Sequence, residues 1–139
     1  MYLFECEATF QAEPAAVWAV WTDVVRWPEW DVSKEMARLD GPFEPGTCGW
    51  AKQRGNLGGA FTITAVETGR RWVSECPVPL GKVIFEHTLE PVGEGRVRVV
   101  KRVEVQGGSG PLLRLFAPRM RRDIAESLCA LGRRLCPAE

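Results

Sequence analysis

His87 is the only histidine among the 139 residues. It stands in a stretch where Val83, Phe85, His87 and Leu89 alternate with Ile84, Glu86, Thr88 and Glu90. Alternation of period two marks a strand with one face buried, and His87 belongs to the apolar series. An imidazole on such a face can exchange one hydrogen bond with a bound molecule, or move a proton near neutral pH. The plainer alternative is a histidine satisfied by a neighbouring hydroxyl or carbonyl, or one at a rim. Aromatic residues recur in a similar way: Trp50, Phe61, Trp72 and Phe85 occupy alternating positions of four separate strand candidates. Facing one interior, they would floor a cavity able to stack a planar molecule, with Ile63, Leu89 and Val99 completing the apolar wall. Facing a filled interior, the same residues are core packing and nothing more.

Three cations, Lys52, Arg54 and Lys101, also fall in strand contexts. A cation turned inward needs a carboxylate partner or an anionic ligand, and these three are expected at the rim of any cavity. Trp18, Trp21, Trp27 and Trp30 are expected to be structural, the first pair buried by helical spacing and the second capping the edge of the sheet. The Gly-rich stretch Gly55 to Gly59 is no phosphate loop, because no Lys-Ser/Thr and no helix start follow it. No Ser-His-Asp or Cys-His order stands out.

Five scattered cysteines, none in a C-x-x-C pair, and a single histidine argue against a zinc site and against a disulfide framework. Neither a metal nor a cofactor is expected. Eighteen basic and eighteen acidic side chains cancel, leaving no field of one sign to draw in nucleic acid. The longest apolar run, Ala15 to Trp21, is far too short to insert into a membrane. The first residues lack the basic start and apolar core of a secretion signal, so a reducing cytoplasmic setting with free thiols is expected.

The elements that would position these residues follow from the chain in order. Tyr2 to Phe10 alternates as a half-buried strand, and Pro14 opens a short helix that ends near Asp23 and Trp27-Pro28. Strand candidates follow at Glu35 to Asp40, Thr47 to Arg54, Phe61 to Ala65, Trp72 to Cys76, Val83 to Leu89 and Val97 to Val105. A loop is expected around Pro77, Pro79 and Gly81. A bulge is open at Val100-Lys101, where the valine alternation breaks. From Gly110 to Cys136, Leu113, Phe116, Met120, Ile124, Leu128, Leu131 and Leu135 recur at steps of three and four, the apolar face of one long helix. Pro118 inside that stretch should kink the helix, unless the helix only begins after it. Strands grouped between helices argue for one α+β domain over residues 1–139, with a curved antiparallel sheet.

One segment, Ala12 to Asp23 followed by Trp27-Pro28-Glu29-Trp30, resembles the opening signature of the SRPBCC (START-like, helix-grip) superfamily, closest to its polyketide cyclase/dehydrase-like branch. Leu39-Asp40-Gly41 with Pro45-Gly46-Thr47, then Val66 to Trp72, then Leu89-Glu90-Pro91 with Gly95 to Val105 and Gly107, match in the same order. The resemblance implies a seven-stranded sheet gripping the C-terminal helix, with a cavity between them for an apolar or aromatic small molecule. Phe116 and Met120 would form the helix wall opposite the aromatic floor. The superfamily includes carriers, cyclases and aromatases, and co-chaperone-like proteins. Acid–base groups are sparser here than in the better-known cyclases. Three functions are therefore open: a hydrophobic-ligand or lipid-binding protein without turnover, a cyclase-, aromatase- or dehydratase-like enzyme using His87, or a co-chaperone-like module using the basic face of the long helix or the Trp27–Trp30 loop. A monomer or a homodimer fits any of them.

Overall fold

The computed structural model describes residues 1–31, 33–55 and 58–135. The expected α+β architecture is present. Strands β1 (Tyr2–Gln11), β2 (Lys34–Leu39), β3 (Cys48–Gln53), β4 (Gly59–Glu67), β5 (Arg71–Val78), β6 (Gly81–Pro91) and β7 (Arg96–Gly107) form one sheet in the order β1-β7-β6-β5-β4-β3-β2. Every neighbouring pair is antiparallel. After β1 the chain crosses to the far edge through helix α1 (Pro14–Thr22), a single 3-10 turn (Val24–Arg26) and helix α2 (Trp27–Trp30). It then meanders back, strand by strand, until β7 lies beside β1. Pro14 occupies the first turn of α1, where its missing N–H removes no bond.

Helix α3 (Gly110–Leu135) closes the fold. Ile124, Leu128 and Leu131 are buried in the core with Phe4, Val17, Trp21, Ile63, Val97, Val99 and Val103. The helix packs chiefly on β1 and secondarily on β7, not on the middle of the sheet. Its first half is only partly covered: Leu113, Ala117 and Met120 pack against the core, whereas Leu112, Leu115 and Phe116 are exposed.

The structure departs from the sequence expectations at Pro77 and at Val100-Lys101. Pro77 lies within β5, opposite Lys82, and the hairpin to β6 is only the two residues Pro79 and Leu80. By that point β4 no longer pairs with β5, so a residue without an N–H costs no ladder bond. No bulge interrupts Val100-Lys101: β7 pairs with β6 in unbroken register from Gly107–Gly81 to Val97–Pro91. The irregularities fall instead at Tyr2/Phe4, Lys34/Met36 and Ile63/Ala65. The valine alternation breaks because a lysine occupies an inward position, not because the backbone slips. Helix α3 runs through Pro118 rather than starting after it, and the expected helix end at Cys136 lies outside the described residues, as do Asn56 and Leu57 of the Gly-rich turn.

Gly49 sets which residues β3 turns inward. It pairs with Phe61 in the inward series of β3, and a Cβ there would press on the Phe61 ring and lie 2.7 Å from the Arg38 carbonyl oxygen. The aromatic ring of β4 fills the space that a side chain on β3 would take. Gly49→Ala is expected to destabilise the protein by about 1–3 kcal/mol through overpacking, measured as a lower urea midpoint at unchanged slope.

Candidate functional site

The half-seated helix leaves space beneath it. A cavity of about 760 Å³ lies between β3–β6 and the first half of α3. Phe61, Trp72, Phe85 and His87 line it from the sheet, and Phe116 and Met120 from the helix. Its wall reaches exposed residues at Arg54, Gly55, Phe116 and Arg119, so the space communicates with the outside there. A second pocket of about 50 Å³ lies deeper, against the second half of α3.

The other residues expected in the wall are placed differently. Val99 lines the deeper pocket. Ile63 and Leu89 are buried in the core and border neither space. Trp50 is a correction: register puts Gly49, not Trp50, on the face of Phe61, and the Arg38 guanidinium lies 5.6 Å from the Trp50 ring centre. With a glycine at the inward position, β3 carries no apolar alternation from which its facing could be read. Lys52, of the same parity as Trp50, pairs with Glu35. Arg54 reaches the large cavity, as expected of a rim cation.

His87 is 7% exposed and borders both spaces. Its ring stacks on Trp72, with centroids 3.8 Å apart and planes 4° from parallel, and Trp21 meets it edge-on at 6.0 Å. Nε2 is buried without a hydrogen-bond partner, and so is Nε1 of Trp72. Burial first, and then the Lys101 and Lys34 cations, push the imidazole pKa well below its ordinary value. The ring is therefore neutral at pH 7, able to accept a proton or share a hydrogen bond.

Beside His87 lies a polar end, of which the sequence pointed only to Lys101. Lys101 is the register partner of His87 and lines both spaces, as does Lys34. The Lys101 ammonium sits 5.1 Å from the centre of the Phe85 ring. Asp31 is 3% exposed. Its Oδ1 accepts from the Ser33 N–H (3.0 Å) and hydroxyl (2.6 Å), and its Oδ2 accepts from the Ser127 hydroxyl of α3 (2.6 Å). Burial, reinforced by repulsion from Lys34, draws the Lys101 pKa down to about 7. Burial lowers Lys34 too, with Asp31, Cys76 and Asp123 opposing.

Trp21 is buried as expected, and Trp27 and Trp30 of α2, which packs on the edge strand β2, wall the deeper pocket together with it. Trp27 is buried, stacked against Phe61 at 6.2 Å and tilted against Trp72 at 6.1 Å, so its loop does not present it as a docking surface. Lys101, expected at the rim, stands instead beside His87; its place in the valine series gives that facing, since Val97, Val99, Val103 and Val105 share its parity. Asp31 and Ser127, 96 residues apart, carry no local signal. Among the described residues no group of three or more His, Cys, Asp or Glu side chains could hold a metal ion, and no helix is long and apolar enough to cross a membrane.

The profile of a family described as "Polyketide cyclase / dehydrase and lipid transport" matches residues 1–135. No curated protein sequence matches. Among solved structures, truncated norcoclaurine synthase from Thalictrum flavum superposes with a TM-score of 0.77 at 12% identity, over 98% of this chain and 94% of that one. A START superfamily protein from Mycobacterium smegmatis gives 0.70 at 14% identity, over 97% of each chain. Ara h 8.0201 gives 0.76 at 17% identity, also over 97% of each. At such identities the likeness is one of fold.

The buried amine gives the site a pH signature. The unfolded chain holds the Lys101 proton up to its ordinary value of 10.5, whereas the folded chain releases it at about 7. Between those values the unfolded state binds the extra proton, so stability rises with pH. Lys101→Met is expected to be more stable than the parent at pH 7 and to lose most of the rise between pH 7 and 9, read from urea midpoints across that range.

Proposed function

The chain belongs to the polyketide cyclase/dehydrase and lipid transport family, and from that premise we propose that it binds a small apolar or aromatic molecule between the sheet and α3, without turnover. The observation that supports this reading is the size and lining of the space. About 760 Å³ falls within the range of small-molecule sites, and Phe61, Trp72, Phe85 and Met120 supply an apolar wall beside a polar end formed by Lys34, His87 and Lys101. A planar ligand gains area burial against these rings, about 25 cal/mol for each Å² of apolar surface removed from water. Cytosolic residence is part of the proposal, in keeping with the free thiols of Cys6, Cys48, Cys76 and Cys129.

The neutral, uncharged fluorophore N-phenyl-1-naphthylamine tests the reading. Its emission is expected to rise and shift to the blue on binding. Ala51→Trp, which fills the cavity from β3, is expected to weaken binding at least tenfold while the variant still unfolds cooperatively. Equal binding by parent and variant would place the probe elsewhere and end this reading.

One observation favours a second reading, a cyclase-, aromatase- or dehydratase-like enzyme. His87 brings a neutral imidazole with an unpaired Nε2 to the cavity wall, the form a general base needs. On that reading His87→Ala lowers turnover of a polyketide-like substrate about a hundredfold or more and leaves naphthylamine binding intact. Turnover undiminished in His87→Ala removes the histidine from the chemistry.

A further inference from the structure

The four lysines of the chain divide into two kinds. Lys52 pairs with Glu35, and Lys82 with Glu75, both on cross-strand neighbours. Lys34 and Lys101 instead line the cavity, and among the described residues neither ammonium has a hydrogen-bonded or ion-paired partner. The one buried carboxylate close by, Asp31, already receives three hydrogen bonds from Ser33 and Ser127. Two amines facing one space repel each other, and both have been taken partly out of water. Such an arrangement is costly unless something else supplies the negative charge.

Two further groups at the same place lack partners. Nε1 of Trp72 is a buried donor, and Nε2 of His87 is a buried donor or acceptor according to tautomer; both side chains are more than nine-tenths buried and face the same space. A carboxylate has two oxygens and accepts several bonds at once, which suits a set made of two ammonium groups and an indole N–H. Around this set the walls are apolar rings. Resting on the cavity reading above, we propose that the deep end of the cavity is an anion subsite, and that the ligand is an amphipathic monocarboxylate: one carboxylate between Lys34 and Lys101, and an apolar or aromatic body against Phe61, Phe85 and Met120.

A monoanion suits this end better than a dianion. Asp31 and Asp123 also face Lys34, and they cancel part of the positive charge available. The groups packed around the Lys101 amine are Cys6 of β1, Lys34 of β2, Cys76 of β5, His87 of β6 and Asp31 ahead of β2, with Asp123 of α3 facing Lys34 across the same cavity. Binding an anion draws a proton onto Lys101, so affinity is linked to pH: it weakens as pH rises above about 7, where the empty site sheds that proton.

The test compares 2-naphthoate with 2-naphthamide, nearly the same shape with and without the charge, by calorimetry on the full chain. The parent is expected to prefer naphthoate at least tenfold at pH 6.5, and the preference is expected to shrink severalfold by pH 9, over a range where the carboxylate itself stays ionised. Lys34→Met and Lys101→Met are each expected to reduce the preference, and the double variant to abolish it. Equal or tighter binding of the amide by the parent overturns the anion subsite, and so does a preference that survives in the double variant or stays constant with pH. The parent's own pH dependence needs no variant to fold. If the neutral naphthylamine binds while the naphthoate preference is absent, only the anion subsite fails. If none of the three compounds binds, the cavity reading fails with it.

Discussion

A helix can bury its apolar stripe only against a surface that reaches it. In this protein the curled sheet meets α3 along β1 and β7 and then falls away. Ile124, Leu128 and Leu131 are covered, whereas Phe116 is 54% exposed although it belongs to the same stripe. Apolar surface left half covered on the helix and half covered on β3–β6 is unfavourable for the empty protein. That mismatch creates the cavity, sets its position under the first half of the helix and decides that its walls are aromatic. Everything proposed about function depends on it.

The deep end is built from different physics. Trp21, Trp27, Trp30 and Trp72 exclude water from the region around His87, and exclusion of water moves the proton equilibria there. The imidazole loses its proton more readily, and the Lys101 amine does too. The tryptophans stand as walls around charges as much as fillers of a core. Trp72 also meets Trp21 at 6.3 Å and Phe43 at 5.0 Å edge-on, contacts that add about 0.5–1.5 kcal/mol each beyond area burial.

Periodicity made the architecture legible. The alternation around His87 and the three-and-four spacing of α3 report burial along one element, and burial along one element is a local property. The placement of Phe61, Trp72, Phe85, His87, Phe116 and Met120 around one space followed from those periods and the resemblance together. What periodicity cannot carry is facing where the inward residue is small. Gly49 leaves β3 without a parity, so the sequence does not show that Trp50 faces away from Phe61. It is equally silent about an inward residue that breaks the apolar pattern: Lys101 read as an interruption, although the backbone passes through it in regular register. Asp31 and Ser127 belong to a third kind, residues joined only by the closure of the whole fold.

The Asp31–Ser127 hydrogen bond has a mechanical meaning. It joins the loop ahead of β2 to the buried half of α3, and its carboxylate is the negative charge that acts most on Lys34 and Lys101. The helix is thus fastened at the same spot where the interior is most polar. The same carboxylate thus anchors the helix and tempers the charge of the interior, so a change of residue at Asp31 would touch both at once.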